Sequence, residues 1–257
     1  MINSDSQGIL FLFPNVLGEE NDPAFFPGNM IEKVPLIDGL IAENDKNGRK
    51  FLKPFSFSNG RSFRDIPIYR MNKHTTEADF QEILELLQKG WKLGLISDAG
   101  LPCIADPGSR LVLACRRLGI PVRAFSGPSS IFLALMLSGL PGQSFAFHGY
   151  FPKNKGLLEK KIARLVLRSK QENATQIFIE APYRNEARLK QLIDLLPSET
   201  LLCVGWNISL PEEGVVTQRV HQWRKRKAPA LHKIPAIFLF CSPAKDSSAK
   251  PQIQSYL

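Results

Sequence analysis

The feature that most constrains the fold of this chain is a regular alternation of apolar strand patterns with helical patterns. Residues 8–13 form a continuous apolar run, which is typical of a strand buried on both faces. Apolar residues at helical spacing lie between Thr76 as N-cap and Gly90 as terminator, and residues 92–97 form the next apolar strand. A further helix leads to a strand at residues 122–126. Strand, crossover helix and strand in succession predict a parallel sheet with helices on its faces.

The chain changes character at Gly127, where we place a domain boundary. The last three strand patterns follow one another without a helical segment, which indicates a mixed, partly antiparallel sheet. The sequence therefore predicts an α/β protein with two α/β domains, residues 1–127 and 128–243, the first with a mainly parallel sheet. Residues 244–257 are polar and aperiodic, and we expect a flexible tail there. The remaining predicted elements are strands at 36–43, 144–150, 175–180, 201–206, 215–221 and 234–241, and helices after a 44–49 turn and at 131–137, 157–167 and 184–196.

The charge balance favours an anionic partner such as RNA. Lys and Arg number 33 against 24 Asp and Glu, which gives a net charge of +9. Residues 153–170 hold seven Lys or Arg against one Glu, and residues 224–227 form a compact basic cluster beside Trp223. These segments suit an RNA backbone, and the Trp223 ring is a candidate for stacking on a base. A solvated basic surface without a partner is the alternative for both.

Several classes of protein are disfavoured by what the sequence lacks. It has no apolar run of about eighteen residues that would span a membrane, and residues 1–12 show no secretory signal pattern. The four cysteines are scattered and the four histidines do not pair at metal-ligand spacing, so we expect free thiols, no metal site and a reducing cytoplasm. Gly-rich dinucleotide and P-loop motifs and a G-x-S-x-G elbow are also missing.

The densest candidate motif is Ser97-Asp-Ala-Gly-Leu-Pro-Cys-Ile-Ala-Asp-Pro-Gly108, directly after a buried strand. In an open parallel sheet, ligands bind beyond the carboxyl ends of the strands. Glycines allow close approach of the backbone, and a carboxylate there can bind ribose hydroxyls or an amine. The alternative is a tight turn in which Asp106 caps the next helix and Pro107 occupies its first position.

A second motif, Gly127-Pro-Ser-Ser130, joins a strand end to a helix N-terminus. Free N–H groups and hydroxyls at such a position can bind a carboxylate or another polar ligand group. A hinge between domains, with Ser129 or Ser130 capping the helix, explains the motif equally well.

Together these residues resemble a known family. The Ser97–Gly108 and Gly127–Ser130 motifs, with Gly149-Tyr-Phe-Pro152, resemble the tetrapyrrole methylases, which are class III S-adenosylmethionine methyltransferases. The nearest branch is the one that includes the small-subunit rRNA cytidine 2′-O-ribose methyltransferase. Phe13-Pro14 with Gly18 resembles the first cofactor-side loop of the family, and Glu180-Ala-Pro-Tyr-Arg184 resembles a Glu-x-x-x-Arg segment of that branch. The likeness covers roughly residues 8 to 241.

The resemblance implies a homodimer in which each chain folds S-adenosylmethionine into a cleft between its two domains and releases S-adenosylhomocysteine. It also implies transfer of the methyl group to an acceptor, with rRNA or the small ribosomal subunit as partner. The positions that match the family's cofactor contacts are Pro14, Asp98, Gly100, Leu101, Ile104, Ser129 and Ser130 in the first domain and Ala181, Asn207 and Ala236 in the second.

The chain departs from that branch in the region where the acceptor is expected. Residues 43–46 replace its Glu-Asp-Thr-Arg segment, residues 70–74 replace His-x-His-Asn, and residues 205–208 replace Ala-Arg-Glu-Leu. The cofactor prediction is unaffected by these differences, but the acceptor prediction is weakened. Candidate bases or acceptor-orienting groups are His74, Lys73, Glu43 and Glu180.

Two of these candidates, His74 and Glu180, have a structural alternative. His74 can be a surface or capping histidine, and Glu180 can form a structural pair with Arg184. Three functions therefore remain open from the sequence: a methyltransferase for rRNA, a methyltransferase of the same fold for a tetrapyrrole or other small molecule, and a non-catalytic RNA-binding or assembly protein.

Overall fold

The computed structural model describes residues 7–18, 26–57 and 60–243, and these divide into two compact units. Unit 1 comprises residues 1–129 and unit 2 residues 130–257. The flexible tail predicted for residues 244–257 lies outside the described residues, and the predicted domain boundaries stay predictions.

Unit 1 is an alternation of short strands and helices, as its sequence pattern predicts. Its strands are β1 (Ile9–Leu12), β2 (Gly39–Ala42), β3 (Ile68–Arg70), β4 (Lys92–Leu95) and β5 (Val122–Ala124). Its helices are α1 (Gly28–Ile31), α2 (Asp45–Leu52), α3 (Glu77–Gln88) and α4 (Ser109–Arg117), with a 3-10 turn at Val34–Leu36.

The five strands of unit 1 form one parallel sheet in the order β3-β2-β4-β1-β5. Leu12 pairs with Leu95 across β1 and β4, and Ile41 pairs with Leu95 across β2 and β4. The carboxyl ends of the three central strands are therefore level at one edge of the sheet. The parallel sheet expected for the first domain is confirmed.

The two faces of this sheet bury different helices. Phe51 and Leu52 of α2 pack with Phe13 and Leu40 in one apolar cluster. Helices α3 and α4 pack on the opposite cluster, which contains Leu10 and Ile41. Each face is thus covered, which explains why the strands read as continuous apolar runs.

Capping residues determine where the helices of unit 1 begin. The Thr76 side chain accepts from Asp79 N, and the Asp79 carboxylate accepts from Thr76 N, which makes a capping box for α3. The Asn44 side chain accepts from Asn47 N at the start of α2, so helix begins inside the turn predicted at residues 44–49.

Two strand predictions in unit 1 need correction. The strand expected at residues 36–43 begins only at Gly39, because a 3-10 turn occupies Val34–Leu36. Strand β3 was not predicted, since three residues are too few for a visible alternation.

Unit 2 has a mixed sheet with helices. Its strands are β6 (Phe145–Tyr150), β7 (Thr175–Ile179), β8 (Leu201–Trp206), β9 (Gly214–Arg219) and β10 (Ala236–Cys241). Its helices are α5 (Ser130–Ser138), α6 (Lys155–Glu172), α7 (Asn185–Leu195) and α8 (Val220–Trp223), with a 3-10 turn at Pro182–Arg184. The sheet order is β6-β7-β10-β8-β9, in which β6 and β7 are parallel and the other neighbours are antiparallel. The mixed sheet expected for the second domain is confirmed.

The strand predicted at residues 215–221 runs too far. It ends at Arg219, and residues 220–223 turn into helix α8 because Val220 and Trp223 are both buried in the unit 2 core. Helix α6 is longer than expected and ends at Glu172, where the following Asn173 adopts the left-handed conformation common at helix C-termini.

Within the described ranges, no helix is long and apolar enough to cross a membrane. The same ranges contain no group of three or more His, Cys, Asp or Glu side chains placed to hold a metal ion. All four cysteines are free thiols.

Candidate functional site

The centre of the unit 1 sheet has the topology of a ligand site. The connections that leave β1 and β2 pass over the face covered by α2, whereas the connection that leaves β4 passes over the face covered by α4. When the connections that follow two adjacent strands cross opposite faces of the sheet, a crevice forms at the carboxyl ends of those strands. Ligands of open α/β sheets bind in such a crevice. The loops after β1, β2 and β4 all begin at this crevice.

Asn15 fastens the loop after β1 to the loop after β4. Its backbone N donates to Gly100 O at 2.8 Å, and Gly100 N donates back to Asn15 O at 3.1 Å. The Asn15 side-chain amide also donates to Ser97 O at 2.9 Å and to Asp98 O at 3.2 Å. Asn15 is buried, and these bonds satisfy it while holding the two loops in one position.

The backbone of the 97–108 loop is held in an unusual conformation. Cys103 and Ala105 have φ values of 68° and 65°, and Gly100 and Gly108 have 73° and 127°. Left-handed backbone at non-glycine residues is sparsely populated and concentrates at binding and catalytic loops. The interpretation of this loop as a simple helix cap is wrong in its predicted form, because α4 begins at Ser109 with Gly108, not Asp106, at the N-cap.

Three carboxyl groups meet where the loops after β2 and β4 come together. Burial, followed by the charge of Glu43 and a hydrogen bond with it, raises the pKa of Asp106 to about 7. Burial and the charge of Asp98 raise the pKa of Glu43. The Asn44 amide donates to the Asp98 carboxylate at 3.3 Å. The raised pKa keeps a proton on Asp106 at pH values where an ordinary aspartate is ionised, and the cluster is suited to a positively charged or hydroxyl-bearing ligand.

The loop after β5 comes close to the loop after β1. A Cβ atom built on Gly127 would lie 2.0 Å from the Cβ of Pro14, so only glycine fits this contact. A Cβ on Gly100 would lie 3.4 Å from Pro128 O, so the 97–108 loop also adjoins this segment. Ser129 is buried directly after it.

The structure brings most of the predicted cofactor contacts of unit 1 to this crevice. Pro14, Asp98 and Gly100 are contiguous through the bonds of Asn15. Leu101 follows in the same loop and is half-buried, while Ile104 is 43% exposed at its tip.

The predicted cofactor contacts of unit 2 lie together at one edge of its own sheet. Ala236 starts β10 and pairs with Trp206, and Asn207 N donates to Pro235 O at 3.1 Å. Ile237 pairs with Ile179, so Ala181 follows the neighbouring strand end. Ser130 begins helix α5 in this unit.

Glu180 is engaged in a buried ion-pair network. Its carboxylate accepts from Arg184 at 3.0 Å, from Arg188 at 2.6 Å and from Ala181 N at 2.9 Å. Burial by itself would raise the pKa of Glu180, but the bonds from Ala181, Arg188 and Arg184 lower it. Of the two interpretations of Glu180 left open by the sequence, this geometry favours the structural pair.

His74 and Lys73 lie in the exposed segment after β3. His74 lines a cavity of about 640 Å³ together with Tyr69 and Asn72. The Asn72 side chain donates to Glu43 O at 2.9 Å, which connects this segment to the acidic cluster. Arg70 pairs with Asp45, so the 43–46 and 70–74 segments, which both depart from the rRNA branch, are neighbours.

The suggestion that Trp223 stacks on a base is wrong. The Trp223 ring is 1% exposed, and its Nε1 donates to Leu202 O at 2.8 Å inside the core. The guanidinium of the neighbouring Arg224 donates a hydrogen bond to Ser198 Oγ at 3.0 Å.

Three contributors were missed in the sequence. Asn15 and Asn44 are single polar residues just after buried strands, a signal that was available but weak. Arg188 was missed because nothing in a helical pattern distinguishes a buried arginine from an exposed one before its partner is known.

The fold matches that of known methyltransferases. The structure of the methyltransferase CobJ superposes with a TM-score of 0.59 at 13% identity, covering 93% of this chain and 95% of that one. Structural similarity at such low sequence identity shows a shared fold and no more.

Sequence comparison then defines the family. Residues 29–222 match the model of the Tetrapyrrole (Corrin/Porphyrin) Methylases. The chain belongs to this family, and the resemblance noted in its motifs is confirmed. The family's members are S-adenosylmethionine-dependent methyltransferases, which confirms the predicted enzyme class and cofactor.

Curated relatives are similar over three quarters of the chain. "Ribosomal RNA small subunit methyltransferase I" of Thermotoga maritima is 30% identical over 194 residues, which cover 74% of this chain and 82% of that protein. The protein of the same name from Bacillus subtilis is 31% identical over 189 residues, covering 74% of this chain and 60% of that protein. The chain therefore spans less than two thirds of the Bacillus relative.

Proposed function

We propose that this protein transfers the methyl group of S-adenosylmethionine to a ribose 2′-oxygen of rRNA in the small ribosomal subunit. The observation that carries the proposal is the crevice at the centre of the unit 1 sheet, where three strand ends converge on the 97–108 loop. The names of the curated relatives support rRNA as the acceptor class.

The residues of the crevice fit the cofactor. S-adenosylmethionine carries a sulfonium, an ammonium and two ribose hydroxyls, all of which carboxylates such as Asp98 can bind. Gly127 and Gly100 allow the loops around the crevice to pack closely, Gly127 against Pro14 and Gly100 against Pro128. Leu101 and Ile104 supply apolar surface, and Ser129 and Ser130 supply hydroxyls. The contacts proposed from unit 2 are Ala181, Asn207 and Ala236.

When bound, the cofactor supplies an already activated methyl carbon. The chain's own groups need to align the acceptor, exclude water and take the proton of the hydroxyl. We propose Glu43 or His74 for the proton, because both lie on segments joined by the Asn72–Glu43 hydrogen bond. A group at this position with a raised pKa, such as Glu43, is better matched to proton transfer than an ordinary carboxylate.

We further propose that the protein is a homodimer of the cytoplasm. Helix α5 presents exposed Phe132, Met136 and Leu137, with Met136 76% exposed. The Phe132 ring packs edge-on against Phe145 at 5.9 Å, which extends the apolar surface. A second copy of the same patch would cover it isologously. Sedimentation should give a dimer for the protein and a monomer for Met136→Glu, whereas Leu167→Glu on α6 should stay dimeric.

The proposed function is tested by methyl transfer with three acceptors in parallel. The protein and radiolabelled S-adenosylmethionine are incubated with small ribosomal subunits, free rRNA and a precorrin-type tetrapyrrole. We expect label in rRNA at a ribose oxygen. Label in the tetrapyrrole alone would contradict the acceptor, and calorimetry without any S-adenosylmethionine binding would contradict the site.

A matched pair of glycine variants tests the crevice itself. Gly127→Ala places a methyl group against Pro14, so we expect cofactor affinity to fall by at least about tenfold. Gly142→Ala adds a methyl group in open space and should bind as the unmodified protein does. Thermal melting of both variants shows whether they fold. A Gly127→Ala protein that melts cooperatively but binds the cofactor weakly has a displaced loop, whereas one without a cooperative transition has failed to fold.

A further inference from the structure

Two tyrosines are exposed at one edge of the unit 2 sheet. Tyr150 ends β6 and pairs with Ile179, the last residue of the parallel strand β7. Tyr183 lies four residues further on. Their exposed fractions are 58% and 63%. Large aromatic side chains left in solvent beyond the ends of strands are typical of binding surfaces.

The Tyr183 segment is a rigid platform. It lies in the 3-10 turn Pro182–Arg184, where Arg184 N donates to Ala181 O at 2.8 Å and Lys233 N donates to Pro182 O at 3.2 Å. The Arg184 guanidinium lies 5.3 Å from the centre of the Tyr183 ring while it is also held by Glu180. Little conformational entropy therefore remains to be lost when a ligand contacts the ring.

The charges around this platform are mainly positive. Lys233 precedes β10 and is bonded to the 182–184 turn through its backbone N, and Lys153 lies three residues after Tyr150. Both lysines are exposed. The carboxylate of Glu180 is already paired with two arginines. The carboxylate of Glu186, three residues after Tyr183, accepts from Leu231 N at 3.1 Å.

We propose that this tyrosine edge (Tyr150, Lys153, Tyr183, Arg184 and Lys233) binds unpaired nucleotides of the RNA acceptor, with Tyr183 stacking on a base and the lysines contacting phosphates. The inference rests on the proposed function and names the part of the chain that receives the acceptor. Sequence-specific recognition of RNA targets unstacked bases, which stack on exposed aromatic rings flanked by cations. Arg184 positions the ring and does not itself read the base.

The test measures the affinity of the full chain for a fluorescent single-stranded oligoribonucleotide and for a matched duplex. We expect tighter binding of the single strand. Tyr183→Ala should weaken it at least about fivefold, whereas Tyr183→Phe, which keeps the aromatic face, should stay within about twofold. Leu113→Ala, which removes an exposed apolar side chain of α4 in unit 1, is the control and should not change affinity.

The charge contribution is tested separately. Lys153→Glu with Lys233→Glu should lower the salt dependence of binding for any RNA sequence by about two units of slope. Lys190→Glu with Lys225→Glu makes the same change of charge at other exposed positions and should leave the slope nearly unchanged.

Failure of this inference is distinguishable from failure of the proposed function. Unchanged RNA affinity in a folded Tyr183→Ala protein that still binds S-adenosylmethionine overturns the tyrosine edge alone. Affinity for a flat tetrapyrrole that falls in Tyr183→Ala, without an effect on RNA, overturns it as well and assigns the edge to a small acceptor. A protein that binds no S-adenosylmethionine contradicts the proposed function first.

Discussion

Asp106 and Glu180 are carboxyl groups in half-buried or buried surroundings whose pKa values move in opposite directions. Burial disfavours the charged form of Asp106 most, and the negative charges of Glu43 and Asp98 add to this effect. Glu180 faces two arginines and a backbone N–H group, so its charged form is favoured despite burial. The difference lies in the neighbours, because desolvation acts in the same sense on both. The pKa of Asp106 is raised to about 7, whereas the pKa of Glu180 is lowered below its ordinary value.

Replacing Asp106 by Asn should flatten the pH dependence of stability. The folded-state pKa of about 7 lies above the ordinary value of 3.8, so the group stabilises the fold most below about pH 4 and this contribution is lost as pH rises through 7. The asparagine side chain of the Asp106→Asn variant does not ionise, so it stays neutral at every pH tested. At pH 8 we expect it to be more stable by about 1 kcal/mol, a figure that allows for solvent screening of a half-buried group.

Urea unfolding of both proteins at pH 5 and pH 8 measures this effect. Asp65→Asn, at an exposed carboxyl of the same unit, provides the control. Parallel curves for the unmodified protein and Asp106→Asn would contradict the coupling of Asp106 with its acidic neighbours.

Replacing Glu180 by Gln should destabilise the protein by about 3–5 kcal/mol, because it leaves the buried Arg188 without its ionic partner. Glu199→Gln removes an exposed partner of Arg219 and should cost at most about 1 kcal/mol. Chemical unfolding of the two variants makes the comparison. Equal effects would mean that the buried network contributes no more than a surface pair.

Among the elements, helix starts are defined by short polar signals and loop shape by long-range bonds. The capping box of α3 involves residues three apart and needs no other part of the chain. The start of the 97–108 loop, in contrast, is held by Asn15, more than eighty residues earlier in the chain, which bonds to Ser97, Asp98 and Gly100. Local signals therefore predict the helices well and the loop poorly.

Removing the cap of α3 should cost a predictable amount. Thr76→Ala deletes the side-chain acceptor for Asp79 N, so we expect a loss of about 1 kcal/mol. Thr76→Ser keeps a hydroxyl and should lose less than half of that. The midpoint of thermal unfolding, measured for the unmodified protein and for both variants, gives the difference. An unchanged midpoint for the alanine variant would show that the cap does not stabilise the helix.

For the molecule as a whole, the distribution of positive charge indicates where an anionic partner would bind. The net charge of +9 is unevenly distributed, and residues 153–170 of unit 2 carry seven of the cations. Burial lowers the pKa of His148, and the nearby charges of Lys161, Arg164 and Arg168 contribute to the shift. These three cations therefore lie close together on α6.

Binding of small-subunit rRNA should weaken steeply as salt rises, because phosphate contacts release counterions. Lys161→Glu with Arg164→Glu should reduce the slope of log affinity against log salt by about two. Arg116→Glu with Arg117→Glu, at exposed positions in the last turn of α4, is the matched control. Equal slopes in all three proteins would exclude α6 as a phosphate-binding face.

Much of the fold was predictable because buried strands and capped helices have characteristic patterns of neighbouring residues in the sequence. Strand β8 was predicted with its observed bounds, and the ends of β7 and α7 fall within one residue of those expected. Strand β3 and the switch from β9 to α8 were not, since their conformation depends on which side chains the core buries. The loop at 97–108 was predicted as a site from its composition and its place after a strand, but its carboxyl cluster required the position of Glu43.

The class of the protein could be recognised from the sequence, because the order of strands and helices and the Ser97–Gly108 motif are local patterns in the chain. Only the tertiary structure decided which groups face each other. It buried Trp223, exposed Tyr183, and paired Glu180 with arginines and Asp106 with carboxyls. Those outcomes depend on distances between residues far apart in sequence, and both pKa and stacking respond to such distances and not to composition.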